Sequence, residues 1–280
     1  MTEAASKTFL ITGVSSGLGR AFAEGALLAG HMVIGTVRRP ADADSFAALA
    51  PDRAYPIILD VTDFQAIPAA IADAEQRAGA IDVLVNNAGY GQEGALEESS
   101  GEDLQRQFAA NVFGPVAMMQ AVLPGMRARR RGHVVNVTSM GGFITMPGLS
   151  FYCGSKFALE GISEALGKEV AAFGIRVTTL APGQFRTDWA GRSMDRAVRS
   201  IADYDAVMDP IRLARQAKSG NQPGDPAKAA QALLALVDAE NPPARLFLGQ
   251  DALALVEQKL AAMTRELAAW DDLSRSTDFE

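Results

Sequence analysis

The sequence predicts an α/β domain: a doubly wound parallel β-sheet of about seven strands with helices on both faces. Three observations carry the prediction. Short β-branched runs alternate with Ala-rich stretches along most of the 280 residues. The short runs are continuously apolar, as strands covered on both faces must be. A glycine-rich stretch follows the first run directly, where an open parallel sheet presents helix N-termini to a ligand.

Taken in order, strands are expected at Thr8–Thr12, Met32–Val37, Tyr55–Leu59, Val83–Asn86, His133–Thr138, Val177–Ala181 and Arg245–Leu248. Helices are expected at Gly17–Ala29, Phe64–Ala78, Glu102–Arg129, Tyr152–Phe173 and Pro226–Ala239. Right-handed crossovers then place ligands at the carboxyl ends of the strands. The rhythm breaks from Gln184 to about Pro226, where no strand pattern is visible and Trp189, Met194 and Met208 stand among charges. A long excursion after a strand's carboxyl end suits a lid or substrate loop. Asp251–Trp270 suits an amphipathic C-terminal helix. No repeat or linker interrupts the chain, so residues 1–280 are expected as one domain, with an insertion at 184–225.

Composition narrows the function. The chain is 48% hydrophobic and 21% charged, with a net charge of −7. A diffuse acidic excess argues against nucleic acid or an anionic membrane as partner. The run Arg127–Arg131 is expected as the solvated end of a helix. No consecutive apolar run reaches the ~18 residues of a membrane span, and the N-terminus lacks a signal-peptide pattern. A single cysteine, Cys153, excludes an internal disulfide and suits the reducing cytoplasm. With no histidine near it in sequence, Cys153 is expected to be a buried bystander. One cysteine and two histidines, His31 and His133, leave no basis for a metal site.

The first strand runs into TGVSSGLGR, which contains Thr12, Gly13, Ser15, Ser16, Gly17, Leu18 and Gly19. Glycines allow a sharp turn and close approach of the backbone to a ligand. The next helix offers unpaired N–H groups and its positive dipole end, so a pyrophosphate belongs here. The end of the second strand selects the nucleotide. An acid there would hold a ribose 2′-hydroxyl. The stretch 35–40 instead reads Gly-Thr-Val-Arg-Arg-Pro. A guanidinium pairs with a 2′-phosphate. NADP(H) is therefore expected, with Arg38 as first contact and Arg39 as second, and NAD(H) left open.

Tyr152 and Lys156 are four apart at the start of a helix, so their side chains share a face. Four tyrosines and six lysines in this chain give ~0.09 accidental pairs at that spacing. Together with the glycine turn and NNAG (Asn86–Gly89), this pair makes the chain resemble the single-domain, Rossmann-like branch of the short-chain dehydrogenase/reductase family. The resemblance runs from about Thr8 to Ala190 and more loosely to Gly249. It implies that Tyr152 is the general acid/base and Lys156 its partner. Ser139 would hold the substrate oxygen, and Asn111 would position a water leading from the lysine. It further implies that Asp60 and Val61 meet the adenine and that Asn87, Ala88 and Gly89 line its ribose. Pro182 and Gly183 would abut the nicotinamide, with Thr187 near its carboxamide. A homodimer or homotetramer pairing the helices at 102–129 and 152–173 is also implied.

The chemistry explains the pair. Hydride transfer between nicotinamide and a carbonyl carbon needs a proton moved at the oxygen. A free phenol titrates near pH ~10, so ~4 kcal/mol is needed to make it a base at neutral pH. An ammonium ~4 Å away supplies about that much at an effective dielectric near 20, so Lys156 is expected to lower the pKa of Tyr152. Ser139 would add a hydroxyl donor where charge develops. Residues expected near the reacting oxygen are mostly apolar: Phe143, Ile144, Met146, Leu149, Phe185 and Trp189, with Tyr90, Gln92 and Gln184 at the rim. That pattern favours a lipophilic ketone, aldehyde or alcohol as substrate. The alternative is a non-catalytic dinucleotide-binding regulatory protein of the same fold; the presence of both Tyr152 and Ser139 weighs against it.

Overall fold

The computed structural model describes residues 6–279. The chain runs β1 (Thr8–Ile11), α1 (Gly17–Leu28), β2 (Met32–Val37), α2 (Pro40–Ala47), β3 (Ala54–Ile58), α3 (Ile67–Ala78), β4 (Val83–Asn86) and β5 (Gly91–Glu93). It continues through α4 (Gly101–Phe108), a π-helical segment (Ala109–Phe113), α5 (Gly114–Arg129), β6 (Gly132–Val137), α6 (Ser150–Val170) and β7 (Ile175–Pro182). The last part holds β8 (Met194–Arg196), α7 (Asp205–Ala217), α8 (Pro226–Asp238), β9 (Arg245–Leu248), α9 (Gln250–Ala269) and α10 (Asp271–Arg275).

Seven strands form one parallel sheet in the order β3–β2–β1–β4–β6–β7–β9. This is the doubly wound, Rossmann-like arrangement. Its cause is visible in the side chains, which alternate between faces along each strand. Phe9, Ile11, Val33, Val83 and Val135 face a core under α1, α2 and α8, which includes Phe22, Phe46 and Leu233. Leu10, Ile34, Leu84 and Val134 face the opposite core under α3, α5 and α6, which includes Ile71, Met118 and Met126. Burying each such side chain contributes ~1.5–3 kcal/mol, so neither face of the central strands tolerates water. The winding direction reverses between β1 and β4, and a crevice opens there at the strands' carboxyl ends.

Each expected strand is present, with ends shifted by no more than two residues. The helix expected over 102–129 is split by its π-helical segment. β5 and β8 form a separate two-stranded parallel sheet. β8 lies in the stretch where no strand was expected, and that stretch also carries α7. The helix span 101–129 is long and apolar enough to cross a membrane by length and composition. Here Met118, Met119, Val122 and Met126 of that span are spent on the core.

The basic run at the end of α5 is not merely solvated. Arg129 donates to the Ile81 carbonyl, Arg130 donates to the Ala172 carbonyl, and Arg131 pairs with Asp82 at 3.4 Å. These contacts hold the lower rim of the sheet. His133 is buried, and its Nε2 lies 3.0 Å from the Thr178 hydroxyl.

Candidate active site

The crevice is a cavity of ≈ 1350 Å³. At one end the chain leaves β1 through the glycine turn, where Gly13 and Gly17 adopt φ of 73° and 61°, left-handed values that favour glycine. Thr12 fixes this turn against the end of β4. Its hydroxyl accepts from the N–H groups of Asn87 and Ala88, both at 2.9 Å, while the Asn87 side chain donates to the Thr12 and Gly13 carbonyls. The N-terminus of α1 has no side-chain cap and no acid in its first turn. Its N–H groups and dipole thus suit a phosphate. Gly13, Ser15, Ser16, Gly17 and Leu18 line the cavity, as do Asn87, Ala88 and Gly89. Gly19 lies behind them, inside the turn.

Along this wall follow Arg38, Arg39, Asp60 and Val61. Arg39 is committed to a neighbour: its guanidinium makes two hydrogen bonds to Asp42, at 2.7 and 2.8 Å. That pairing holds the Asp42 carboxyl below the usual carboxylate range. Asp42 lines the same cavity, two residues beyond the 35–40 stretch that carries the cofactor expectation. The Asp60 carboxylate closes a local turn by accepting from the Thr62 N–H and hydroxyl. Pro182, Gly183 and Thr187 complete the far wall. A Cβ on Gly183 would stand 2.4 Å from the Asp251 carboxylate, which accepts from the Gln184 N–H at 2.8 Å. Asp251, on α9, thus fixes the loop after β7. These residues fit a dinucleotide: a glycine cradle, an uncapped helix N-terminus and a long wall ending in arginine.

Ser139, Tyr152 and Lys156 come together at the centre of the crevice. Ser139 follows β6 and its hydroxyl accepts from the Gly141 N–H at 3.0 Å. A Cβ on Gly141 would lie 3.2 Å from the Tyr152 ring, 3.3 Å from Met146 Cε and 3.4 Å from Ser139 Oγ. The Trp189 ring covers Tyr152 with centroids 5.0 Å apart. Lys156 Nζ donates to the Val137 carbonyl at 2.9 Å and lies 5.9 Å from the centre of the Tyr152 ring.

The expected electrostatics need correction. Burial pushes the Tyr152 phenol well above its ordinary value; Ser139 pulls it back in part, and Cys153 adds to the rise. Burial also lowers Lys156 to about 8, with Glu160 opposing. Desolvation of the phenol outweighs any lowering by the neighbouring ammonium, so the net direction at Tyr152 is upward. Near neutral pH the phenol keeps its proton and the amine remains mostly a cation.

Asn111 sits in the π-helical segment, an irregularity frequent at functional sites. It accepts from the Tyr90 N–H at 3.2 Å and donates to the Tyr90 carbonyl and the Ser155 hydroxyl at 3.0 and 3.1 Å. It does not face the cavity directly. The position of a Gly89 Cβ would be 2.8 Å from Asn111 Oδ1 and 3.9 Å from Lys156 Nζ, so only glycine fits between them.

Met146, Leu149, Gln184, Phe185 and Trp189 line the cavity as expected, with Tyr90 at its rim. Phe143 does not. It turns away to pack edge-on against Phe247 at 5.8 Å, under the Arg245 guanidinium, in a cluster with Ile144 and α9. Gln92 is likewise withdrawn, since it is buried in β5 and donates to Ser99. Sequence reasoning missed Met140, Met194, Ile211, Ala214 and Arg215 on the cavity wall. Met194 and the α7 residues belong to the 184–225 segment expected as a substrate loop, but the lack of a strand rhythm there left its wall-forming side chains unassigned. Cys153 is buried beside the site and its thiol pKa is raised by burial, as suits a bystander. Among the described residues, no cluster of His, Cys, Asp or Glu could hold a metal ion.

Sheet, glycine cradle and tyrosine–lysine pair together define a class, the nucleotide-dependent oxidoreductases built on a doubly wound sheet. Comparison with known proteins makes this specific. The family profile described as short chain dehydrogenase matches residues 7–197. The solved structure of a short-chain dehydrogenase from Streptomyces avermitilis is 44% identical, with a TM-score of 0.91 over 99% of this chain and 100% of that one. An oxidoreductase of Botryotinia fuckeliana, BOA17, is 38% identical over 96% of this chain and 98% of its own. A 3-ketodihydrosphingosine reductase of Bacteroides thetaiotaomicron is 37% identical over 86% and 87% of the two chains. The chain belongs to the short-chain dehydrogenase family and is an oxidoreductase of that family.

Proposed function

We propose that the protein is an NADP(H)-dependent oxidoreductase that interconverts a lipophilic ketone or aldehyde with its alcohol. The convergence of Ser139, Tyr152 and Lys156 on one point of the crevice carries the reading. NADP(H), when bound, supplies or accepts the hydride. The chain's own residues manage the oxygen and the proton. Ser139 donates a hydrogen bond to the substrate oxygen, and Tyr152, protonated near neutral pH, gives its proton to that oxygen during reduction. Lys156, held by Val137 and still mostly cationic, stabilises the phenolate left behind. Asn111 fixes the Tyr90 backbone and the Ser155 hydroxyl, which in turn donates to the Tyr152 carbonyl at 2.7 Å.

Arg38 supports NADP(H): of the acids on that wall, Asp42 is paired with Arg39 and the Asp60 carboxylate is turned to the Thr62 N–H and hydroxyl. Met146, Leu149, Trp189, Met194 and Ile211 give the substrate end an apolar surface. That surface agrees with the relative named for reducing a 3-keto compound. Segment 184–225 acts as the substrate loop over the crevice. The exposed side chains Leu104, Phe113 and Phe157 support pairing of two chains through α4, the π-helical segment and α6.

The test is a panel of ketones followed by NADPH and NADH absorbance. Turnover should be at least ~10-fold faster with NADPH. Tyr152→Phe should lose ~10³-fold or more in kcat, in the range of a lost general acid, while still binding NADPH. Equal turnover by that variant would exclude the mechanism. Arg38→Asp should shift preference towards NADH, and an unchanged preference would remove the cofactor assignment.

A further inference from the structure

One buried carboxylate lies beside the catalytic residues and has no part in the reading above. Glu160 stands one helical turn beyond Lys156 on α6 and is 4% exposed. Its carboxylate is fully engaged. Thr138 donates to Oε1 at 2.6 Å, and Thr179 and the Arg245 guanidinium donate to Oε2 at 2.9 and 2.7 Å. Thr138 directly precedes Ser139, Thr179 lies in β7 and Arg245 in β9, so one side chain ties α6 to three adjacent strands. The Ser139 turn rests on the same spot: a Cβ on Gly142 would stand 3.0 Å from Glu160 Cγ and 3.1 Å from the Lys156 carbonyl oxygen. A packing role alone calls for an apolar side chain. A buried carboxylate costs desolvation that only its partners offset.

We propose that Glu160 is a positioning residue for the reaction: it locks the strand end carrying Ser139 to the helix turn carrying Lys156, and its charge keeps the lysine amine cationic. This rests on the oxidoreductase reading. Glu160 is the charged group that acts on the amine. On α6 the amine faces Tyr152, which is protonated, and Glu160. From β6 it meets the Val137 carbonyl, and Gly89 stands beside it, with the neutral Asn111 on the other side of that glycine. Burial drives Lys156 down, and Glu160 opposes that. On the far side of the carboxylate Arg245 competes for its charge, and Glu164 in turn lies near Arg245.

Two readouts test the proposal. The first is NMR titration of the Lys156 amine in cofactor-free protein carrying isotope-labelled lysine. The second is the alkaline limb of kcat/KM for ketone reduction, where loss of the ammonium lowers the rate. Glu160→Gln should move both to lower pH by about one unit, whereas Glu160→Asp, which keeps the charge, should leave them nearly in place. Arg245→Gln, which removes the competing cation at a side chain 30% exposed, should move both the other way. A Gln variant with lower rate or lower Tm but unmoved titrations overturns the proposal, as does an Asp variant displaced as far as Gln. If Glu160→Gln does not fold, Arg245→Gln decides, and no upward shift overturns it. A wild-type protein inactive on every ketone would defeat the oxidoreductase reading instead, while the amine titration would still judge Glu160.

Discussion

Gly19 has no space for a methyl group. A Cβ there would stand 2.3 Å from both the Asn87 side-chain nitrogen and the Gly13 carbonyl oxygen. Both are held by the hydrogen bonds that shape the turn, so neither can give way cheaply. Gly19→Ala should lower stability by about 1–3 kcal/mol, as overpacking does. It should also weaken NADPH binding at least ~10-fold, the factor that ~1.4 kcal/mol of distortion represents; calorimetric titration and thermal melts would show both. His133 gives a second effect at this scale. Burial holds its pKa at about 4, below the unfolded value of 6.5. Above pH ~6.5 the ring is neutral in both states and its contribution is complete. As pH falls towards ~4 the unfolded chain takes up the proton first, and about 3 kcal/mol of stability is lost. Denaturant melts of wild type and His133→Gln across that window should converge as the pH drops.

Elements that bury a continuous apolar run were legible in the sequence, and those held by pairing and charge were not. β1, β4 and β6 announce themselves because nearly every residue is buried and most are apolar. β5 and β8 are Gly-Gln-Glu and Met-Asp-Arg, with no apolar pattern. They become strands only by facing each other. α2 begins at a proline and buries one large side chain, Phe46, too little to show a stripe. The site divides in the same way. The residues of the glycine turn, Ser139, Tyr152 and Lys156 stand at fixed places along the chain, whereas Phe143 was misplaced because the sequence does not show which way a side chain after a strand turns. The segment 184–225 is fastened by charge. Glu93 of β5 is buried and pairs with Arg196 at 2.9 Å and with Arg215 of α7. Glu98 accepts from the N–H groups of Ser200 and Ile201, and Arg199 pairs with Asp205 and Asp209. Glu93→Ala leaves Arg215 without its carboxylate at the cavity wall. It should cost about 3 kcal/mol, raise KM for the ketone several-fold and open 184–225 to limited proteolysis. Unchanged KM and cleavage would show that these charges do not hold the segment.

At the scale of the whole molecule, the contact between chains proposed above uses the helical face of α4, the π-helical segment and α6. Phe113 and Phe157 are 50% and 40% exposed, and Phe108 lies with its ring 6.3 Å from that of Phe113. A Phe113→Arg, Phe157→Arg double variant should elute as a single chain in light-scattering chromatography, where wild type shows a multiple of the chain mass. A wild type of single-chain mass would remove this face as a dimer contact. The lone thiol, Cys153, is closed off from solvent at 3% exposure. Maleimide dyes therefore have no native target in the folded protein. A cysteine placed on the outer side of α7, such as Leu213→Cys (65% exposed in the native chain), would accept a fluorophore by itself. Fluorescence could then follow that helix during turnover, without first stripping the enzyme of its own sulfhydryl.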